Sequence, residues 1–324
     1  MKSKYSNKYI LETGIGLQDV DKLKNSNYFL CESEKYIKGE ISLEELDATI
    51  NSYYAHKAGE EERNEEADKV SIRIAQIIAD DSFTFTVGQL LSIHKRLFDG
   101  LLYKPGTLRT YNFTKKEWVL DGASVTYGDF RELEMTLQYD FDQERNYRYN
   151  NLSKKEIIAH LASFIANLWQ IHPFEEGNTR TAAVFFIKYL RSLGFDVTND
   201  TFAKNSWYFR NSLVRANYTN INKGIYEDKT FLIKFLENLL DGKHNQLKNR
   251  ELHINEDKLT DISSRESRIV DLIKSNPNIT AETIAENLEV SSRTIKSVLK
   301  SMQDKGIIKR ENGKKYGYWK IKEK

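Results

Sequence analysis

One cysteine, three prolines and 16 glycines in 324 residues exclude several classes of protein at once. Cys31 alone forms no internal disulfide and builds no cysteine metal cluster. So few prolines and glycines leave little to interrupt helices, and the expected fold class is mainly α. No apolar run reaches the ~20 residues of a membrane-spanning helix. The basic start of the chain lacks the apolar segment of a secretory signal, so a cytoplasmic protein without membrane contact is expected. A content of 40% hydrophobic and 12% aromatic residues is too high for a disordered chain. At roughly 100–200 residues per domain, the length predicts about two domains.

Charge is nearly balanced overall but not along the chain. Residues 265–324 hold 14 basic and 8 acidic side chains, a net of +6, which leaves −4 for residues 1–264. The basic end points to an anionic partner.

Apolar spacings place helices along most of the chain. Ser42 and Glu45 form a capping box before a stripe at Leu46, Ile50 and Tyr54. The charged run from Gly59 to Glu66 reads as a linker, followed by a helix with Val70, Ile74 and Ile77 on one face. Residues 109–127 are rich in β-branched and aromatic side chains around Asp121-Gly122, a favoured type I′ turn, and predict a β-hairpin. A second capping box, Ser153 to Glu156, opens a helix that is apolar on most of its circumference and therefore buried.

That helix runs into Ile171-His172-Pro173-Phe174-Glu175-Glu176-Gly177-Asn178-Thr179-Arg180, and another apolar helix follows. Pro173 disfavours helical geometry at His172, which puts the imidazole at a helix end. Gly177-Asn178 precede a helix N-terminus, whose free N–H groups suit an anion. Glu176 offers the ligand type that Mg²⁺ takes when phosphates complete its shell. Arg180 offers a forked cation for phosphate. Together they read as a phosphate-and-magnesium pocket with a histidine at its rim.

The stretch resembles the signature of Fic-family proteins, His-Pro-Phe-x-Asp/Glu-Gly-Asn-Gly-Arg-x-x-Arg. The hairpin at 109–127 resembles the Fic flap, and Asn205-Ser206-Trp207-Tyr208-Phe209 through Asn217 resembles the helix that helps hold the adenosine. The resemblance implies a helical core with a flap and transfer of AMP from ATP to a Tyr, Thr or Ser hydroxyl of a target protein or of the chain itself. His172 would be the general base. Phe174 would anchor the loop, Glu176 would hold Mg²⁺, and Gly177, Asn178, Thr179, Arg180 and Asn217 would bind the nucleotide. Lys115, Trp118 and Val119 on the flap would dock the target segment. It further implies a catalytic core at 61–240; the N-terminal helical module at 1–60 is similar to antitoxin-like modules or is a helical prop for the core, and the polar stretch at 241–262 reads as a linker. A nucleotide-sensing regulator with a non-catalytic core is the alternative.

Two positions depart from the signature: Thr179 replaces its third glycine and Ala183 its second arginine. Regulated members pair that arginine with a glutamate in Ser/Thr-x-x-x-Glu-Gly/Asn, and no such motif occurs here. The chain is therefore expected to be active as it stands, with removal of residues 1–55 changing its rate by less than about tenfold.

Residues 263–324 read as three short amphipathic helices and a hairpin, similar to a winged helix-turn-helix. Arg293, Lys296 and Lys300 lie on the polar face of the third helix, and Lys309 and Arg310, with Lys314 and Lys315, lie on the wing, a set suited to DNA; a charged, solvated face on a protein-interaction module is the alternative.

Overall fold

The computed structural model describes residues 5–56, 62–254, 266, 268–288, 290–304, 306–311, 313 and 317–321. The chain divides into two compact units, Met1–His253 and Ile254–Lys324.

The first unit is helical: α1 (Asn7–Gly16), α2 (Asn27–Lys38), α3 (Leu43–Ala55), α4 (Glu62–Ala79), α5 (Val87–Phe98), α6 (Leu133–Asn146), α7 (Lys154–Ile171), α8 (Asn178–Ser192), α9 (Thr201–Ala216), α10 (Thr230–Leu240) and the short α11 (Asn249–Leu252). Both predicted capping boxes form, at Ser42/Glu45 and Ser153/Glu156. The centre is α8, buried from Asn178 to Leu190 with Arg180 and Lys188 among its buried residues, while α7 buries the apolar residues Ile158, Leu161, Phe164, Ile165 and Leu168. Phe85, Phe141 and Phe164 pack against Phe185 and Tyr189 of α8 and against one another, with ring centroids 4.4–6.4 Å apart.

The N-terminal helices share this core. A Cβ on Gly14 would lie 2.3 Å from the Ser71 carbonyl of α4, and one on Gly16 would lie 2.1 Å from the Ala203 carbonyl of α9. The two glycines let α1 lie directly on both helices. The charged run expected as a linker is only partly one: Glu62 to Glu66 form the first turn of α4, and residues 57–61 lie outside the described residues. At the other end, Leu252 is buried and Asn211 Nδ2 donates to Asn249 Oδ1 at 2.7 Å, so α11 packs on α9 where a linker was expected.

The hairpin expected at 109–127 is corrected. The Asp121-Gly122 turn is present, with φ of 53° and 84° and the Ala123 N–H donating to the Leu120 carbonyl at 3.1 Å, but no strand flanks it. Val119 and Leu120 are both buried, whereas neighbouring residues of a strand face opposite ways. A 3-10 turn over Trp118–Leu120 buries both at once. Among the described residues of this unit, strand pairing amounts to one bridge between Asn220 and Ile225.

In the second unit, α12 (268–275), α13 (Ala281–Asn287) and α14 (Ser292–Asp304) precede β1 (Ile308–Glu311) and β2 (Tyr318–Ile321), which pair antiparallel with Ile308 opposite Ile321. Ile269, Ile273, Ile284, Ile295, Leu299, Met302, Ile308 and Trp319 form its core. Ser291 caps α14 by accepting from the Thr294 N–H at 3.2 Å. Trp319 fixes the hairpin through its N–H to the Pro277 carbonyl and its indole N–H to the Ile279 carbonyl. Lys314 and Lys315 lie outside the described residues. Among the described residues, no helix is long and apolar enough to cross a membrane.

Candidate active site

His172 terminates α7 in the left-handed region, φ 51° and ψ 59°, immediately before Pro173. Its Nδ1 lies 3.3 Å from the Trp169 carbonyl, which can only accept, so Nδ1 carries the proton and Nε2 the lone pair. Nε2 is buried and has no hydrogen-bond partner among the described residues. Tyr127 stacks on the imidazole at 4.0 Å, and Phe113 and Trp169 stand edge-on at 5.7 and 5.2 Å. Burial, joined by the positive charge of Lys115, Arg210 and Arg109, holds the His172 pKa well below the usual histidine value. The ring is a neutral base at pH 7.

The loop that follows is shaped by its own side chains. Asn178 Oδ1 accepts from the Phe174 N–H at 2.9 Å, and its Nδ2 donates to the Phe174 carbonyl at 2.7 Å. Phe174 is buried and stacked on His94 at 3.8 Å. His94 Nδ1 accepts from the Gly106 N–H at 2.7 Å, so its Nε2–H donates to the Glu176 carbonyl at 3.1 Å; burial pushes its pKa down to about 4. Gly177 has φ 72°, and a Cβ there would fall 2.3 Å from the Phe98 ring. No side chain caps α8 among the described residues, which leaves the N–H groups of its first turn for an anion.

The predicted nucleotide residues divide accordingly. Gly177 opens α8 as expected, but the Asn178 amide serves the loop, so only its backbone remains for phosphate. Thr179 Oγ1 accepts from the Trp169 indole at 2.9 Å. Arg180 is corrected: it is buried between Asp21 Oδ2 at 2.9 Å, Glu66 Oε1 at 2.6 Å and Gln18 Oε1 at 3.1 Å, which consume the charge expected for phosphate. Gln18 and Asp21 fall within residues 1–55, so removing that segment strips Arg180 of two of these three polar partners. Asn217 Nδ2 donates to the Ala166 and Leu213 carbonyls, both at 2.9 Å, and fastens the end of α9 to α7.

Glu176 projects outward, its side chain 57% exposed, and meets Lys115 Nζ at 3.0 Å. Beside it opens a pocket of about 160 Å³ lined by Leu102, Lys104, Thr107, Thr110 and Glu175 among others. Among the described residues no three His, Cys, Asp or Glu side chains gather as a metal site. An exposed carboxylate beside an uncapped helix start fits a Mg²⁺ ion whose other ligands are phosphate and water oxygens.

Of the predicted docking residues, Trp118 is 45% exposed, Lys115 is engaged by Glu176, and Val119 is corrected to a core residue. Sequence reading missed what anchors this segment. Arg210 forks onto buried Glu117 at 2.6 and 3.1 Å, and Arg109, 3% exposed, bonds the carbonyls of both the flap and the His172 loop. Nothing local marks Arg109 as buried or Arg210 as paired; the acid partner of Arg210 lies 93 residues away.

In the second unit, Arg293, Lys296 and Lys300 are exposed on α14, opposite buried Ile295, Val298, Leu299 and Met302. Lys296 meets Glu282 at 2.7 Å, Lys309 lies 3.9 Å from Glu311, and Arg310 lies over the Trp319 ring.

Residues 84–190 match the model of the Fic/DOC family, and residues 265–319 match the model of an HTH domain. Similar solved structures include the N-terminal FIC domain of the Bep8 effector protein of Bartonella sp. 1-1C, at 18% identity over 56% of this chain and 87% of that one, TM-score 0.42. A Fic family protein from Desulfovibrio desulfuricans G20 is 14% identical over 98% of this chain and 88% of its own, TM-score 0.43. A Fic domain containing signaling protein from Bacteroides thetaiotaomicron VPI-5482 is 14% identical over 76% and 95%, TM-score 0.44. No curated protein matches. The chain carries a Fic/DOC domain at residues 84–190, which holds the His172 loop, and an HTH domain at residues 265–319.

Proposed function

We propose that this protein transfers AMP from ATP to a Tyr, Thr or Ser hydroxyl of a target protein or of itself. The observation that carries the reading is His172 Nε2: a buried lone pair without a partner among the described residues, on a ring whose other nitrogen is fixed by Trp169. A hydroxyl is a poor nucleophile at neutral pH, and a positioned base contributes about 10²–10⁴-fold. The hydroxyl oxygen forms a bond to the α-phosphorus, the bond from that phosphorus to the bridging oxygen breaks, pyrophosphate leaves, and the hydroxyl proton passes to Nε2.

The N–H groups at the start of α8 would bind phosphate oxygens, with Thr179 and Asn217 lending the nucleotide site its walls. Glu176 would hold Mg²⁺, which supplies charge neutralisation to the phosphates when bound. Lys115 would then exchange Glu176 for phosphate. Arg180 takes no part while Asp21 and Glu66 hold it.

The second unit would bind duplex DNA through Arg293, Lys296 and Lys300 with Lys309 and Arg310 on the hairpin. A cytoplasmic location, where ATP and DNA are both present, belongs to the same proposal.

Incubation of the full chain with ATP labelled on the α-phosphate, with Mg²⁺, tests the reading. Covalent label on protein that disappears in His172→Ala, with ATP affinity retained, is the expected result. Reversible ATP binding without covalent label would instead establish a nucleotide-sensing regulator.

A further inference from the structure

Arg109 is buried, yet it makes no ion pair with any described residue. Its donors go to oxygens of three separate segments. Nε reaches the His172 carbonyl at 2.8 Å, and Nη2 reaches the Ile171 carbonyl at 3.4 Å and the Gly128 carbonyl. Nη1 reaches the Tyr111 carbonyl at 2.7 Å and Asn112 Oδ1 at 3.1 Å. The backbone N–H of Arg109 adds a bond to the Pro173 carbonyl at 2.9 Å. Tyr111 and Asn112 begin the flap segment, Gly128 ends it, and Ile171 to Pro173 carry the base.

A buried guanidinium is costly unless its N–H groups are paired, and here the fork pairs them with carbonyls fixed by other parts of the fold. His172 sits at positive φ, a backbone state uncommon outside glycine, and its carbonyl is the one that Nε holds. The flap carries Phe113 and Tyr127, two of the rings around the imidazole. One side chain thus fixes the flap and the base to each other.

We propose that Arg109 is a positioning residue: it sets the register of the flap, and of whatever hydroxyl the flap presents, against His172 Nε2. This rests on the AMP-transfer reading for its consequence in rate, but not for the link between flap and loop. Lysine keeps the charge and loses the planar fork, since three donors on one nitrogen cannot reach carbonyls of three segments.

The test uses the full chain with Arg109→Lys and Arg109→Gln. Hydrogen exchange is followed at 111–128 and 170–174, together with ATP affinity and the initial rate of covalent labelling at saturating ATP. Arg109→Lys is expected to raise exchange in both segments together while α1 and α4 stay protected. It is expected to slow labelling by about a hundredfold, the cost of roughly an ångström of misplacement, with ATP affinity kept within about threefold. Exchange that rises in one segment alone, or in neither, overturns the proposal. So does labelling within about threefold of the parent, or a loss of labelling and ATP affinity in step with loss of folded protein by circular dichroism. If the parent chain transfers no label while both segments loosen together, the AMP-transfer reading fails and the link through Arg109 stands.

Discussion

Trp169 donates its indole N–H to Thr179 Oγ1 at 2.9 Å while its backbone carbonyl accepts from His172 Nδ1. One residue thereby joins the last turn of α7, the base and the first turn of α8. This explains the threonine where the resembling signature has glycine: both side chains are buried, and a glycine would leave the indole N–H without its acceptor. Thr179→Gly should lower stability by about 1–3 kcal/mol, the cost of an unsatisfied buried donor. Thr179→Ser should retain most of it. Equal urea midpoints for the two variants would remove the hydrogen bond from the account.

Glu176 and Lys115 neutralise one another at 3.0 Å on a half-exposed surface, a contact of little stabilising value. Its interest lies in competition. Glu176→Gln keeps the shape of the side chain and loses its charge, so Mg²⁺ should support ATP binding only at markedly higher concentration, by about tenfold or more, or 1.4 kcal/mol. Lys115→Ala should leave the Mg²⁺ requirement in place and lower the concentration needed. A magnesium titration that Glu176→Gln leaves unchanged would take the metal away from this carboxylate.

Much of this was legible in the sequence, and the failures share a cause. Capping boxes, the apolar α7, the helix end at His172-Pro173, the Asp121-Gly122 turn and the C-terminal hairpin all depend on residues close in the chain, and all are present. What the sequence concealed depends on residues far apart. Arg180 beside a glycine-containing loop reads as a phosphate ligand until Glu66, 114 residues earlier, and Asp21 are folded against it. Val119 reads as one face of a strand until the core claims it together with Leu120. Arg109 carries no local sign that five hydrogen bonds await it.

Both neutral histidines of the site make stability depend on pH in one direction. Burial lowers the pKa of His94 to about 4 and that of His172 well below 6.5. The unfolded chain therefore binds more protons than the folded chain below pH 6.5, and stability falls as pH falls from there toward about 4. Urea midpoints should drop between pH 7 and pH 5, and His94→Gln, which cannot take the proton, should shrink the drop. Transfer should keep its rate well below pH 6.5, because the base stays neutral there. A rate that halves near pH 6.5 would contradict a buried His172 that stays neutral there.

The second unit gives the remaining prediction. Arg293, Lys296 and Lys300 are exposed on one helix whose other face is locked into the core by Ile295, Val298, Leu299 and Met302, so they can change partners without disturbing the fold. Lys296 spends part of its charge on Glu282 at 2.7 Å, a pair with both side chains more than half exposed, and a phosphate could take the place of that carboxylate at small cost. Duplex DNA binding by the full chain should weaken steeply as salt rises, because each neutralised phosphate releases a counterion. Lys296→Gln and Lys300→Gln should each flatten that dependence by roughly one unit of slope on a log–log plot if they meet phosphate. Glu282→Gln should strengthen binding by freeing Lys296. Arg310 is held over the Trp319 ring, which fixes its guanidinium on the hairpin, and Arg310→Ala should weaken binding without altering the melting of the unit by more than about 1 kcal/mol. No binding at low salt, or binding that all of these substitutions leave unchanged, would assign the helix-turn-helix face to a protein partner instead of DNA.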